Sequence, residues 1–463
     1  MYVYQDLEKL GDDEKKRMTF VQSVVNQHKS SRRYKEAQDA EEYYANRNPT
    51  ILKYQKLLRN ALGQLEPDIW SANYKLTHGI FRKFVLQQTQ YVLSNGVSFQ
   101  KEKTKKTLGK TFDFDLQHLT KKAMVDGVSF GFWNYDHLEV FSLVETDMEP
   151  GFAPICDGET GELRAGVRHW TIGDGTESGK QTERRTLYEP DGYTEYIKRH
   201  DEEMQVLREK KPYTENIRTD GIGTVEISAG ESYSGFPIIQ MYANDLHQSE
   251  IVGIRSSIDC YDFIKSGMAN NIDETSVFYW TLEGTGGMGD ADLAEFVKRM
   301  KELKAVVLDR GTKAESHTLS IPVEANKLML DYLKNDMYED FMLMNPAQIL
   351  SGNMTATAIR MAYQPQDDKC GDFEFYIRDF IGKLLALIGI DDEPSIRWNR
   401  IANQTEETQM VLMAAQYLDE ETLLNKLPWM TPEEVRTVLD RRSAEEMEPV
   451  VIGNDPVTIE DFN

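Results

Sequence analysis

The sequence predicts an α+β chain, and three observations carry that expectation. Stretches near both ends repeat apolar residues at helical spacing, whereas Val128 to Glu226 breaks into short β-type runs separated by hairpin turn residues. Nearer the C-terminal end, Glu324 to Ile388 reads as two helices joined by an unusual loop. The length of 463 residues allows roughly three domains, at about 100 to 200 residues each.

Met1 to about Asn95 is expected to be helix-rich, ending in an amphipathic pattern through Ile80, Phe84, Val85, Tyr91 and Val92 that Gly96 closes. Val97 to Phe99 starts a strand, and a helix from about Leu116 to Val125 ends at Asp126-Gly127. The β region takes Phe130 to Trp133, Leu138 to Val144, Arg164 to Thr171, Arg185 to Tyr188 and Thr194 to Lys198. Its turns fall at Asp157-Gly158, Gly173-Asp-Gly175 and Asp191-Gly192. After a loop from Gly230 to Gly235, Phe236 to Met241 forms a last strand.

Asp245 to about Asp273 returns to helix. A small module of strand, helix and two strands follows: Val277 to Leu282, a Gly-rich loop from Glu283 to Asp290, a helix through Leu293, Phe296, Val297, Met300 and Leu303, then Ala305 to Leu308 and His317 to Ile321. Asp290 or Asp292 would cap that helix. The helix from Glu324 to Met344 places Leu328, Leu330, Leu333, Met337, Phe341 and Met344 at helical spacing, and the next runs from near Thr355 to Ile388. Between them Pro346 and Ser351-Gly352-Asn353 interrupt the pattern. Asp391 to Pro394 mark a boundary, and a helical segment from Thr405 to Arg442 leads into an acidic tail.

With 77 acidic against 53 basic side chains and a net charge of −24, the chain has the wrong sign for gripping nucleic acid through its phosphates. It could still enclose DNA. Cys156, Cys260 and Cys370 lie too far apart for a CxxC zinc site or a disulfide scaffold, which points to a reducing compartment. No apolar region resembles a secretory signal and no run approaches the roughly 18 residues that span a bilayer, so a soluble, intracellularly made protein is expected.

No motif specifies an enzyme, a cofactor or a metal. The strand, Gly-rich loop and helix from Val277 to Leu303 could hold a phosphate at the helix start, but no Lys-Ser or Lys-Thr follows and Asp290 and Asp292 would repel one. Gly173 to Lys180 fails the same pattern and leads into a strand. His200-Asp201 sits in a charged run with no second His nearby, and carboxylate pairs such as Glu339-Asp340 and Asp367-Asp368 arise by chance among so many. The eight histidines form no HExxH array, and no GxSxG appears.

The order of elements nevertheless resembles the portal proteins of tailed bacteriophages, in the long-tailed branch, over about 400 residues. Tyr43-Tyr44 with Asn48-Pro49 and Ile51 is similar to the family's early tyrosine-pair segment. Asn73 through Lys83 to Tyr91 and Val97 resembles its helix ending in a Tyr, Leu, Gly and β-branched signature. Gly127 to Phe132, Val144 and Pro154 to Asp157 resemble one β segment, and Thr186 to Tyr188 with Tyr193 and Tyr196 the next. The closest likeness is Gly235 to Ile239, Ala243 to Asp245, Ser249-Glu250 and Ile258 to Tyr261, closing with Ser266 and Asn270. Gly352-Asn353 with Thr355, Ala358 and Ile359 is similar to its loop-to-helix junction. Ala356 stands where the family often has Gly, and Cys260 at a usually small or polar position.

The resemblance implies a non-enzymatic ring subunit, usually one of twelve, at the capsid vertex of a virion assembled in the host cytoplasm. Double-stranded DNA would pass through irrespective of sequence. By it, residues 1–244 form a wing, 245–273 and 324–344 two stem helices, 274–323 a clip, 345–354 a tunnel loop, 355–390 a long bridging helix, 391–442 a helical crown and 443–463 an acidic tail. The implied partners are further copies of the chain, the terminase large subunit, a head–tail adaptor, and the major capsid and scaffolding proteins. Membrane is not among them.

Asn345, Gln348, Ile349, Leu350, Ser351, Gly352, Asn353, Met354 and Thr355 then line the channel, and Gln348 to Thr355 carries no charge, so it can touch phosphates without trapping them. Gly284, Gly286, Gly287, Met288 and Gly289 would meet partners at the clip. Lys327 and Lys334, one heptad apart, and Lys265 are candidates for cationic rings; alternatively the first two pair with Asp331 or Glu324 on a solvated face. Two other readings are a phosphate- or nucleotide-handling enzyme using Gly284 to Gly289, and a different ring-forming virion adaptor.

Overall fold

The computed structural model describes residues 2–59, 64–68, 71–173, 181–200, 202–219, 225–229, 233, 235–275, 279–283, 313–317, 323–347, 356–399, 404–427, 429–430 and 432–447. Four helices come first: α1 (Tyr4–Glu8), α2 (Glu14–Ser30), α3 (Arg32–Tyr44) and α4 (Pro49–Lys53). Side chains cap three of them. Asp13 accepts from the Lys16 N–H, Ser31 from Tyr34, and Asn48 from Thr50 and Ile51 behind Pro49 in the first turn.

A short hairpin, β1 (Leu57–Arg59) on β2 (Leu65–Pro67), departs from the expected helix-rich start. Leu57 and Leu65 are both exposed, so no burial alternation marks it in the sequence. Then come α5 (Ile80–Leu93), β3 (Val97–Phe99), α6 (Glu102–Leu108) and α7 (Phe112–Asp126). The last begins before the expected Leu116, because Phe112 is buried and extends the apolar face. It ends at Gly127, whose φ of +81° suits glycine and where a Cβ would lie 2.7 Å from the Gln248 backbone.

The β region forms one eight-stranded sheet. Its strands are β4 (Val128–Asn134), β5 (His137–Ser142), β6 (Gly151–Cys156), β7 (Leu163–Gly173), β8 (Gln181–Glu189), β9 (Gly192–Lys198) and β10 (Gln205–Lys211), with β13 (Ile238–Tyr242) closing beside β4; β11 (Glu215–Thr219) and β12 (Val225–Ala229) make a separate hairpin. Pairing is antiparallel except for a single parallel bridge, Ser142 to Gly151. Alternation along the strands feeds two cores. Ile238, Val128, Phe130 and Phe132 join Tyr34 and Ala37 of α3 on one face, while Ile239, Met241 and Trp133 join α5, α7 and the later helices on the other.

α8 (Arg255–Thr275) starts well after the expected Asp245, since the Asn244 side chain accepts from Gln248, His247 has φ +52°, and Glu250 donates its N–H to the Met124 carbonyl. β14 (Tyr279–Glu283) pairs with β15 (Lys313–His317), so the last module strand ends where His317 to Ile321 was expected to begin. The expected loop at Gly284 to Gly289, the caps Asp290 and Asp292, the helix through Leu293 to Leu303 and the strand at Ala305 lie outside the described residues, as do the turn beyond Gly173 and most of the acidic tail.

α9 (Val323–Asp340) and α10 (Ala356–Leu387) follow, the second containing Pro365. β16 (Pro394–Ile396), legible in the sequence only as a boundary, adds to β3. The single expected helix from Thr405 to Arg442 is instead α11 (Gln404–Met413), a 3₁₀ turn at Ala415–Tyr417, α12 (Glu420–Lys426) and α13 (Pro432–Met447). Asp419 caps α12 through the Thr422 N–H, and Pro432 begins a new helix.

Candidate functional site: a helix pair and a loop junction

α8 and α9 run side by side, with Ile258 near the start of one and Met337 near the end of the other in the same core, and Tyr261, further along α8, near Asp331, earlier along α9. They are therefore antiparallel. One face of α8 is bonded to the N-terminal region at the spacing that aligns side chains along a helix. Asp259 accepts from Tyr43 Oη at 2.6 Å, Asn48 Nδ2 at 3.0 Å and Thr50 Oγ1 at 3.1 Å. Asp262, fully buried, accepts from Asn48 Nδ2 at 2.9 Å and His78 Nδ1 at 2.8 Å. One and two turns on, Ser266 Oγ accepts from the Leu76 N–H and Asn270 Oδ1 from the Tyr74 N–H. Arg255 pairs with Asp39 and lies over the Tyr43 ring.

These contacts unite the early Tyr43 and Asn48-Pro49 segment with the Ile258 to Asn270 segment. Asn48 serves both, capping α4 with its oxygen while its nitrogen reaches two carboxylates. Burial raises the Asp262 carboxyl, opposed by Asn48 and His78, and burial with Asp259 pushes the Tyr43 hydroxyl up to about 12. No sequence signal marks Asp262 or His78, whose partners are far away along the chain.

The ends of the interhelical loop are also fixed. The Met344 N–H donates to Gln366 Oε1 at 3.0 Å, and Gln87 Nε2 to the Met344 carbonyl at 3.0 Å. Asn345, grouped with the channel-lining loop from sequence, is only 6% exposed and donates to Asn335 at 3.3 Å. That placement makes it an anchor of the loop's start. Lys369 donates to Glu250 and to the Phe341 carbonyl, with its ammonium 3.6 Å from the Phe341 ring centre. On the N-terminal side Lys83 reaches Tyr338 Oη, and Tyr91 bonds Asp367 and stacks on Tyr363. Gln348 to Thr355 lie outside the described residues, as do Gly284, Gly286, Gly287, Met288 and Gly289.

Lys327 and Lys334 are both exposed on α9, on nearly the same side, and among the described residues neither takes part in an ion pair with Asp331 or Glu324. Lys265 differs: it is half-buried, its ammonium 5.7 Å from the Tyr261 ring centre. Leu330, Leu333 and Met337 form the buried side of α9, and the opposite side exposes Leu328, Met329 and Tyr332. Among the described residues no group of three His, Cys, Asp or Glu side chains could hold a metal ion, and no helix is long and apolar enough to cross a membrane.

A family model described as phage portal protein, SPP1 Gp6-like, matches residues 25–448. The chain is 23% identical over 429 residues to the portal protein of Clostridium phage phiCD119, covering 86% of this chain and 90% of that one. It is 22% identical over 369 residues to the portal protein of Bacillus phage SPP1, covering 78% and 70%. Among solved structures it resembles a chain from the neck of an empty GTA particle, with 11% identity, a TM-score of 0.41 and coverage of 77% and 89%.

Proposed function

Because the chain belongs to the SPP1 Gp6-like family of phage portal proteins, structural components of the virion at the capsid vertex, we propose that it closes into a ring that conducts double-stranded DNA. Twelve copies would surround the duplex as the terminase large subunit drives it in, and a head–tail adaptor would dock before it leaves. On this reading α8 and α9 are the stem, residues 274–323 the clip, 345–354 the tunnel loop, α10 the bridge between wing and crown, and 391–442 the crown.

The observation that supports it best is the division of α9 into three sides. Leu330, Leu333 and Met337 hold the helix to its own chain, Leu328 and Tyr332 present apolar surface outward, and Lys327 and Lys334 offer charge with no ion pair among the described residues on a third side. A ring stem needs those three surfaces: one for its own fold, one for its neighbour and one for the bore. The net charge of −24 per copy suits a conduit, because phosphate neutralisation strong enough to hold DNA makes affinity fall by roughly 10³ to 10⁵ between 50 and 200 mM salt, and a moving duplex must escape every such contact. Repelling walls with a few cations would centre it.

Negative-stain imaging of the purified chain tests the reading. Closed rings with a central hole are expected, and a protein that stays monomeric at high concentration overturns it.

A further inference from the structure

Beside the face of α8 that is bonded to the N-terminal region lies a recess of about 140 Å³, bounded by Tyr54, Tyr74, Phe263, Gly267 and Asn270 among others. A dry cavity of about 150 Å³ is large enough for one benzene ring. Around it Leu52, Tyr54, Tyr74, Leu76 and Phe263 are all exposed, a contiguous apolar surface of the kind that marks an interaction site. Lys56 and Lys75 line the recess, each ammonium donating to a backbone carbonyl, of Ala72 and Leu52, with Asp68 against Lys56, and Lys53 is exposed in the adjoining helical turn.

The outer side of α9 has complementary properties. Leu328, Met329 and Tyr332 are exposed at 54%, 43% and 57%, and the exposed charges beside them, Glu324, Asp336 and Glu339, are acidic. The two surfaces also stand at one level along the helix pair, for Tyr261 of α8 lies close enough to Asp331 of α9 to feel its charge, which puts Phe263 opposite the Met329 turn. Rotation about an axis running along the helices carries every residue to the same level in the next copy. Two different, complementary surfaces at one level are what a head-to-tail contact requires if it is to close into a ring.

We propose that Tyr332 of one copy enters the recess of the next beside Tyr74 and the edge-to-face pair of Tyr54 and Phe263, with Leu328 and Met329 covering the surrounding apolar surface. This rests on the ring reading given above and adds the pair of surfaces that forms it. The exposed Lys53 then faces the carboxylates of α9, and the difference between the two surfaces disfavours a two-fold dimer through either one alone.

Cysteine cross-linking with a flexible bis-maleimide tests the pairing, in a Cys156→Ser, Cys260→Ser background because both of those thiols are partly accessible. A chain carrying both Tyr54→Cys and Leu328→Cys is expected to give a ladder of covalent oligomers on a denaturing gel, and either change alone is not. Mass photometry on the same samples reports whether rings form. Rings without a ladder above the single-variant controls overturn this pairing and leave the recess to another component, with the ring intact. Monomers throughout overturn the ring reading and the pairing with it. Leu328→Asp, at an exposed position that leaves the fold alone, is expected to lower the fraction of rings at least tenfold at fixed concentration; unchanged assembly counts against the proposal.

Discussion

Single side chains in this protein carry long-range contacts whose strength depends on protonation. His28 donates to the Leu143 carbonyl beside Tyr34 and His169, and burial, with that bond opposing, brings its imidazole down to about 4. Between 6.5 and 4 the unfolded chain therefore binds more protons than the folded one, so stability is complete above that range and declines as pH falls through it. Glu145 extends the decline: burial would raise it, but His169, Lys29 and Thr171 bring it to about 2, so its contribution is lost as pH drops from its ordinary 4.5 toward 2. Thermal melts are expected to fall by roughly 2 °C between pH 6.5 and 4.5, at about 1 °C per kcal/mol for a chain of this length, and His28→Gln should flatten that fall. An equally steep profile in the variant would remove His28 as the cause. Asp262→Ala, which leaves His78 Nδ1 without its acceptor, is expected to lower the urea-derived stability by about 1–3 kcal/mol. A variant as stable as the parent would show that the α8 attachment does not depend on it.

At the scale of elements, the helices and strands most visible in the sequence are those whose pattern is local. The α9 spacing is legible because burial recurs within the helix, and the β7–β8–β9 runs because each carries a local cluster of β-type residues between turn residues. What stays hidden depends on distant partners: β16 exists by pairing with β3, and β13, expected as a strand, gives no local sign that it pairs with β4. The bond between sheet and bridge is equally nonlocal. Gly131 of β4 leaves room for the Phe380 ring of α10, where a Cβ would lie 2.5 Å from it, and nothing near Gly131 announces that neighbour. The start of the loop between α9 and α10 is fastened through Met344 to Gln366 of α10 and through Asn345 to Asn335 of α9. Deleting Ile349 to Gly352 is thus expected to spare the fold and ring assembly while abolishing DNA packaging or retention in a complementation assay. Packaging at the wild-type level would remove the loop's assigned role.

For the molecule as a whole, the family is legible through order and spacing, since Tyr43, Asn48, Asp259, Ser266 and Asn270 are all visible as parts of separate segments. That they meet on one side of α8 is not legible, because Asn48 and Asp262 are 214 positions apart. Proximity to the loop puts Asn345 in the bore on sequence grounds, and burial makes it an anchor instead. Global charge is legible and leads to a whole-ring expectation. With Lys327 and Lys334 both changed to Gln, rings should assemble as before, but DNA retained by them at about 50 mM salt should dissociate faster, with the difference fading toward 200 mM. Retention identical at both salts would place those lysines away from the duplex.

Pro365 sets a reach for the loop. Lacking an N–H, it leaves the Met361 carbonyl without its helical partner, so the backbone bonds that tie the first two turns of α10 to the rest are interrupted just where Gln366 and Tyr363 fasten it. Were residues 356–362 to unwind at that weakened turn, each would add up to about 3.5 Å of extended chain in place of about 1.5 Å of helix. Such unwinding would lengthen the segment between residue 355 and the Tyr363 contact by about 14 Å. Amide exchange across α10 should accordingly divide near Pro365, fast before it and slow after; uniform protection from 356 to 387 would mean a tether of fixed length.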